Sequence, residues 1–399
     1  MDDTLLVNPA LPFVEVYIEH LIKRILIYYP QFNVTKLYED LFTATHCAVD
    51  SLDPLQTTAD VFYKQFEGLT ALNREHMQPI MAEFIADDYP QLHTMTAPVE
   101  SASPLVQWLF DHNFAVAVAT NPLFEQAAIY KRLEWSGLAD FIPTFWFITT
   151  MENVHFTKPR SHYYEEILTR LGFEPDEALM IGDSWKNDML PAAKAGLNTF
   201  WIRDELSGNE NLDDHLSPNG QGTLNDLYRL VTTEGWLETL QPRPLQQYQI
   251  APRLIGNIAA LKGLVDEIEP RFWNQRPDPH EWSPIEVVVH LRDSERHVQR
   301  PRLERILNEA NPFLTTPQTP PQPGTQNLDH EDGLSAMLEF AEERRKTLAF
   351  LNSLSDNDWI RPARHSVFGP TNLLEMAAFT ARHDRLHINQ FCQTVGNCQ

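Results

Sequence analysis

Between about residues 12 and 95 the apolar residues recur at helical steps, with aromatics set beside aliphatics in PFVEVYIEHLIKRILIYY and VFYKQFEGLTALN. This spacing predicts an all-helical segment. From Pro104 to Asp111 another helix leads into a different pattern, in which short continuous apolar runs (FAVAVATNP, TFWFITT and ALMIG) alternate with helical stretches. Continuous runs of that length predict buried parallel strands, because such strands are covered on both faces. After Ile202 the stretch ELSGNENLDDHLSPNGQGT reads as a surface loop, and a last helix is predicted near Leu224 to Leu240.

The pattern then changes for good. Prolines at 242, 244 and 252 predict an extended linker over residues 241–252. Beyond it the chain reads as helix throughout. Leu254, Ile258, Leu261, Val265 and Ile268 form one stripe. Ser283, Pro284 and Glu286 spell a capped helix start. A third helix follows the proline-dense NPFLTTPQTPPQPGTQN, with Leu334, Met337, Leu338, Ala341, Leu348 and Leu351 expected inward, and a fourth runs from about Asn372. The expected division is residues 1–240, a linker at 241–252 and a bundle at 253–399, with residues 246–399 folding by themselves.

Composition narrows the function classes. A net charge of −24 disfavours nucleic-acid binding, which depends on Lys and Arg neutralising phosphates. No run of about 18 apolar residues offers a membrane span, and no basic-then-apolar leader opens the chain, so a soluble cytoplasmic protein is expected. Cys47, Cys392 and Cys398 are too scattered for a disulfide framework or a cysteine-rich zinc site.

Candidate chemistry in the first half centres on ALMIGDSWKNDMLPAAKAG. Asp183 follows a glycine at a strand's carboxyl end and Asp188 comes five residues later, so both acids can face the crevice where open α/β sheets hold ligands. Paired carboxylates suit Mg²⁺, although Asp and Asn also start helices. Thr120 and Asn121 end another strand, and Lys158 precedes a helix in FTKPRSHYYEEILTRLG. Taken in order, MDDTL, Thr120, Lys158 followed by Pro159, and Gly182-Asp183 with Asp188 resemble the motifs of the haloacid dehalogenase-like hydrolases over residues 1 to about 235. The resemblance implies a Rossmann-like α/β domain with a helical cap at about 12–95, and Mg²⁺-dependent hydrolysis of a small phosphorylated metabolite. It implies Asp2 as general acid/base and metal ligand, Thr120 and Asn121 as phosphate ligands, Lys158 as the charge clamp, and Asp183 and Asp188 on the metal side. The family's nucleophilic Asp would lie one position before Met1, and the opening is expected to begin in mid-motif. On that expectation the chain as written is inactive on phosphate esters.

In the second half, His383 and His387 stand four apart on one helix face, and His290 lies on another helix. Three imidazoles can hold one divalent metal and leave a position open. EWSPIEVVVHLRDSE, FGPTNLLEM and FTARHDRLHINQF resemble the DinB-like metal-binding four-helix family over residues 248–399. The resemblance implies a metal on His290, His383 and His387, with a thiol-dependent transferase among the family's reactions. Imidazole, softer than carboxylate oxygen, favours Zn²⁺ or Ni²⁺ over Mg²⁺, and Asp293 and Asp384 read equally as supporting acids or as exposed helix charges. The expected protein is a phosphatase fused to a metal-binding bundle. The alternative is a non-catalytic N-terminal scaffold with any chemistry in the bundle. A homodimer through the bundle is left open.

Overall fold

The computed structural model describes residues 1–8, 10–203, 216–315, 323–324, 328 and 330–398. Most of the loop expected after Ile202 and of the proline-dense connection near 311–327 lies outside the described residues. The chain divides into two units: residues 1–163 with 178–243, and residues 164–177 with 244–399. The second unit thus takes in a segment that the sequence assigns to the first half.

In the first unit, β1 (Leu6–Val7) leads into α1 (Ala10–Tyr28), α2 (Val34–Asp50), α3 (Thr58–Thr70) and α4 (Arg74–Glu83), and the chain returns through β2 (Ala97–Pro98). Leu6 pairs with Pro98 and Val7 with Ala97, so the helical insert leaves and re-enters on one antiparallel pair. The insert has its own core, in which Phe13, Ile25, Phe66, Ile80, Phe84 and Tyr89 are fully or almost fully buried. Edge-on ring pairs such as Tyr17 on Phe84, 5.0 Å between centroids, make this core specific as well as apolar. The helical cap expected over about 12–95 is therefore present.

The α/β part follows as α5 (Ala102–Asp111), β3 (Ala117–Val118), α6 (Gln126–Trp135), β4 (Phe147–Ile148), α7 (Ser161–Leu171), β5 (Leu179–Gly182), α8 (Leu190–Ala195), β6 (Asn198–Ile202), β7 (Gly220–Gly222) and α9 (Leu224–Thr233). Two parallel sheets result, β3-β4 and β5-β6-β7. Residues 220–222, expected as loop, form the edge strand. No apolar run announced them, because β7 is the glycine-containing GQG. Where a Cβ at Gly220 would stand, the Phe200 ring already lies 2.7 Å away, so the strand approaches its neighbour through lack of a side chain.

The second unit contains α10 (Ile250–Glu267), α11 (Pro284–Ser294), α12 (Arg300–Asn308), β8 (Phe313–Leu314), α13 (Gly333–Asn352), α14 (Asp356–Trp359), β9 (Pro362–His365), β10 (Gly369–Asn372) and α15 (Leu373–Cys398). Four helices, α10, α11, α13 and α15, make the bundle, with α11 and α10 each packed on both α13 and α15. Two expectations fail here. The region is not helical throughout, because β9 and β10 form a hairpin beside β8. β10 opens on Gly369 at φ +75°, a conformation glycine adopts without steric cost. Leu334 and Leu338 also point outward, each 44% exposed. The buried face of α13 is Met337, Phe340, Arg344, Thr347 and Leu351, and its polar members disguised it.

Candidate functional site

The first candidate site forms where β5 ends. Gly182 is required there: a Cβ on it would stand 2.6 Å from Asp188 Cγ. The backbone then turns so that Ser184 N–H donates to Asp188 Oδ2 at 3.1 Å, while the Ser184 hydroxyl accepts from Asn187 N–H and starts the next helical turn. Lys158 Nζ donates to Asp188 Oδ1 at 2.5 Å, with both side chains buried. Asp183 Oδ1 accepts from the Thr4 hydroxyl at 3.0 Å, and its backbone carbonyl accepts from Trp201 Nε1 at 2.8 Å. Burial and the neighbouring Asp188 push the Asp183 carboxyl above its usual range. Two crowded carboxylates relieved by one ammonium are the electrostatic setting in which a further cation is favourable.

Asn121 joins this group by accepting from the Lys158 backbone N–H at 3.2 Å. Thr120 is buried and held at its backbone: its N–H donates to the Thr149 hydroxyl at 3.0 Å and its carbonyl accepts from Tyr163 Oη at 2.6 Å. Asp2 goes elsewhere. It is ion-paired with Arg132, a side chain enclosed between the rings of Phe13 and Phe124. The α-amino group of Met1 lies among Lys158, Asp2, Asp188 and Asp183, and burial lowers its pKa. The structure thus assembles Lys158, Asp183, Asp188 and Asn121, and gives Asp2 a partner that sequence reasoning did not foresee. Arg132, Thr149, Tyr163 and Trp201 were all missed. A buried arginine in an otherwise ordinary helix (QAAIYKRLEW) carries no local signal.

The second candidate site is in the bundle. His290, His383 and His387 bring one ring nitrogen each within 4.8 Å of one another, and among the described residues this is the one group of metal-ligating side chains so arranged. His290 Nε2 and His383 Nε2 are 3.4 Å apart. Burial, then the neighbouring imidazoles, push His290 down to about 3; burial and His383 push His387 to about 4. Both rings are therefore neutral at neutral pH, the form that binds a metal. His387 Nδ1 meets Gln390 Oε1 at 2.9 Å, and Trp282 stacks on the His387 ring at 5.5 Å. Asp384 Oδ1 is 3.8 Å from His383 Nδ1, and Arg344 donates to its Oδ2 at 2.7 Å. Burial alone would raise the Asp384 carboxyl, but Arg344 and His383 hold it below the usual range. Asp293 instead pairs with Arg292.

Comparison with known proteins gives the two sites to two different families. Residues 54–202 match the haloacid dehalogenase-like hydrolase family and residues 253–391 match the DinB superfamily. The chain joins a haloacid dehalogenase-like α/β region with a helical cap to a DinB-like four-helix bundle. Among curated relatives, glyceraldehyde 3-phosphate phosphatase of Methanothermobacter thermautotrophicus is 34% identical over 73 residues, 18% of this chain and 31% of the relative. Pyrophosphatase PpaX of Bacillus pumilus is 24% identical over 166 residues, 42% of this chain and 74% of the relative. The chain therefore spans about a third of the first relative's length and about three quarters of the second's. Among solved structures, YfiT from Bacillus subtilis, described as a probable metal-dependent hydrolase with an unusual four-helix bundle topology, aligns at 19% identity with a TM-score of 0.33, covering 37% of this chain and 85% of that one. No helix among the described residues is long and apolar enough to cross a membrane.

Proposed function

We propose that the first unit hydrolyses a small phosphorylated metabolite with Mg²⁺, and that the bundle binds its own divalent transition metal. The observation that carries the first reading is the buried Lys158–Asp188 pair at 2.5 Å with Asp183 beside it, at the carboxyl end of a parallel strand. Asp183 and Asp188 are the oxygen donors suited to Mg²⁺, which when bound would neutralise phosphate charge. Lys158 adds a fixed positive charge that draws a phosphate oxygen toward the same point, and Asn121 holds the Lys158 backbone in place. Thr120, whose backbone Thr149 and Tyr163 hold, is a phosphate ligand in this reading. Asp2, paired with Arg132, stands apart from this group, so the acid/base role expected for it would require its carboxylate to leave that partner. The relatives named above, a phosphatase and a pyrophosphatase, support phosphate chemistry as the class. The test is release of inorganic phosphate from a panel of phosphate monoesters by the protein expressed from its complete gene. Activity that requires Mg²⁺ and disappears in Asp183→Asn is expected; activity indifferent to both overturns the reading.

A second reading, favoured by the one preassembled metal-ligating cluster among the described residues being in the bundle, places chemistry there, as a thiol-dependent transferase, with the first unit a binding scaffold. The histidines fit Zn²⁺ or Ni²⁺: three neutral nitrogen donors are softer than the oxygens Mg²⁺ prefers. Metal analysis of the full chain against the triple His→Ala variant tests the site itself, and equal metal content in the two removes it.

A further inference from the structure

Helix α15 presents His383 and His387 to the metal site, and its other side is tied to a segment from outside the DinB-matching residues. Arg385, buried, donates from Nη2 to Glu165 Oε2 at 2.8 Å, from Nε to the Thr169 hydroxyl at 3.2 Å and from Nη1 to the Phe173 carbonyl at 2.9 Å. Arg253 of α10 lies 3.2 Å from the other oxygen of Glu165, a side chain with no exposure at all. Thr169 Oγ1 donates to Asn257 Oδ1 at 2.7 Å. Asn257 Nδ2 in turn donates to the Ala381 carbonyl at 2.9 Å and to Asp384 Oδ2 at 3.3 Å. The ligand helix is thus gripped at 381, 384 and 385, on either side of His383.

Small residues on α10 make the grip possible. A Cβ on Gly256 would stand 2.8 Å from Glu165 Cβ and 2.9 Å from the Glu166 backbone N, and a Cβ on Gly263 would collide with the Arg170 guanidinium. Residues 164–177 belong to the bundle's unit and fill a place on it.

We propose that Glu165 and Thr169 are positioning residues for the bundle's metal: they set the rotation of α15 that turns His383 and His387 toward His290. The inference rests on the bundle-metal reading above. Groups hydrogen-bonded to a metal's own ligands change its affinity by about 10–100-fold; Glu165 and Thr169 act one step further out, through Arg385 and Asn257, so Thr169→Val and Glu165→Gln are each expected to weaken Zn²⁺ binding by about tenfold, the low end of that range. The experiment uses the full chain, with Zn²⁺ affinity read by competition against a chromophoric chelator and site geometry read from the ligand-field spectrum of the Co²⁺ form. Circular dichroism establishes that each variant is folded. Thr169→Ser keeps the hydroxyl and is expected to bind as the parent does. Asp176→Asn, exposed on the same segment, serves as the control. A loss of thermal stability with unchanged affinity and an unchanged Co²⁺ spectrum would mean a purely structural role and would overturn the proposal. If Glu165→Gln does not fold, the Thr169 pair decides. A parent chain that binds no Zn²⁺ overturns the metal reading and this inference together, whereas a parent that binds and a folded Thr169→Val that binds equally well overturns this inference alone.

Discussion

At the scale of single residues, Lys158 and Asp188 depend on each other more than either depends on solvent. Their side chains are 6% and 7% exposed, and removing one partner of such a pair leaves a buried uncompensated charge worth about 3–5 kcal/mol. Lys158→Met is expected to lower the unfolding free energy by about that much. Adding Asp188→Leu should recover a large part of it, as read by urea denaturation of both variants. His162 supplies a pH dependence of known sign. Burial, then Arg160, lower it to about 4 from 6.5, so the folded state resists protonating it while the unfolded chain does not. Its contribution is intact above pH 6.5 and is lost as pH falls toward 4. Melting temperatures followed across that window should fall less steeply in His162→Gln than in the parent; equal slopes would refute the assignment. At this scale the sequence was legible where neighbours in space lie near a strand end or a helix start, as for Asp183 and for the Lys158–Asp188 pair. It was opaque where a residue acts through a distant partner, as Arg132 does on Asp2.

At the scale of elements, periodicity located the cap helices and the bundle helices but misjudged faces. Leu334 and Leu338 were read as core because they are leucines. The true inward face of α13 holds Arg344, which pairs with Glu295 at 2.9 Å and with Asp384 at 2.7 Å. A buried charge network inverts the usual rule that polar means outside, and no one-dimensional pattern reveals its partners. α10 shows the converse. It is buried on nearly every side, and Gly256 and Gly263 leave the room in which Glu165 and Arg170 of α7 lie against it. A metal held by α11 and α15 together should stabilise this group. With Zn²⁺ at about a hundredfold over its dissociation constant, about 2.7 kcal/mol of added stability is expected, measured as a rise in melting temperature that is absent in the triple His→Ala variant and retained in His330→Ala. Affinity should fall with acid because each imidazole must be neutral, and the depressed His290 and His387 move their share of that fall well below pH 6.5.

At the scale of the whole chain, the proline-containing connection near residue 244 looks like a place to cut, and sequence alone suggests that residues 246–399 would stand by themselves. The structure assigns residues 164–177 to that unit as well. A fragment starting at 246 would leave Arg253 and Arg385 without Glu165, the carboxylate that both of them face. Such a fragment is expected to melt over a broad range with little cooperativity, whereas the full chain melts sharply. Calorimetry of the two preparations checks this, and a sharp fragment transition would show that the bundle tolerates the loss. Nothing in the sequence marked the segment, because α7 reads as an ordinary helix between strands and its two buried glutamates look like surface acids.

The two regions are therefore interleaved along the gene even though each matches a family in one continuous stretch. Fourteen consecutive residues, 164 through 177, lie inside the stretch that matches one family and inside the unit formed by the other. A substitution among them is screened by both, so this stretch should drift more slowly than the helices around it. A shuffling event that exchanged the N-terminal module for a cousin would hand the bundle a foreign helix.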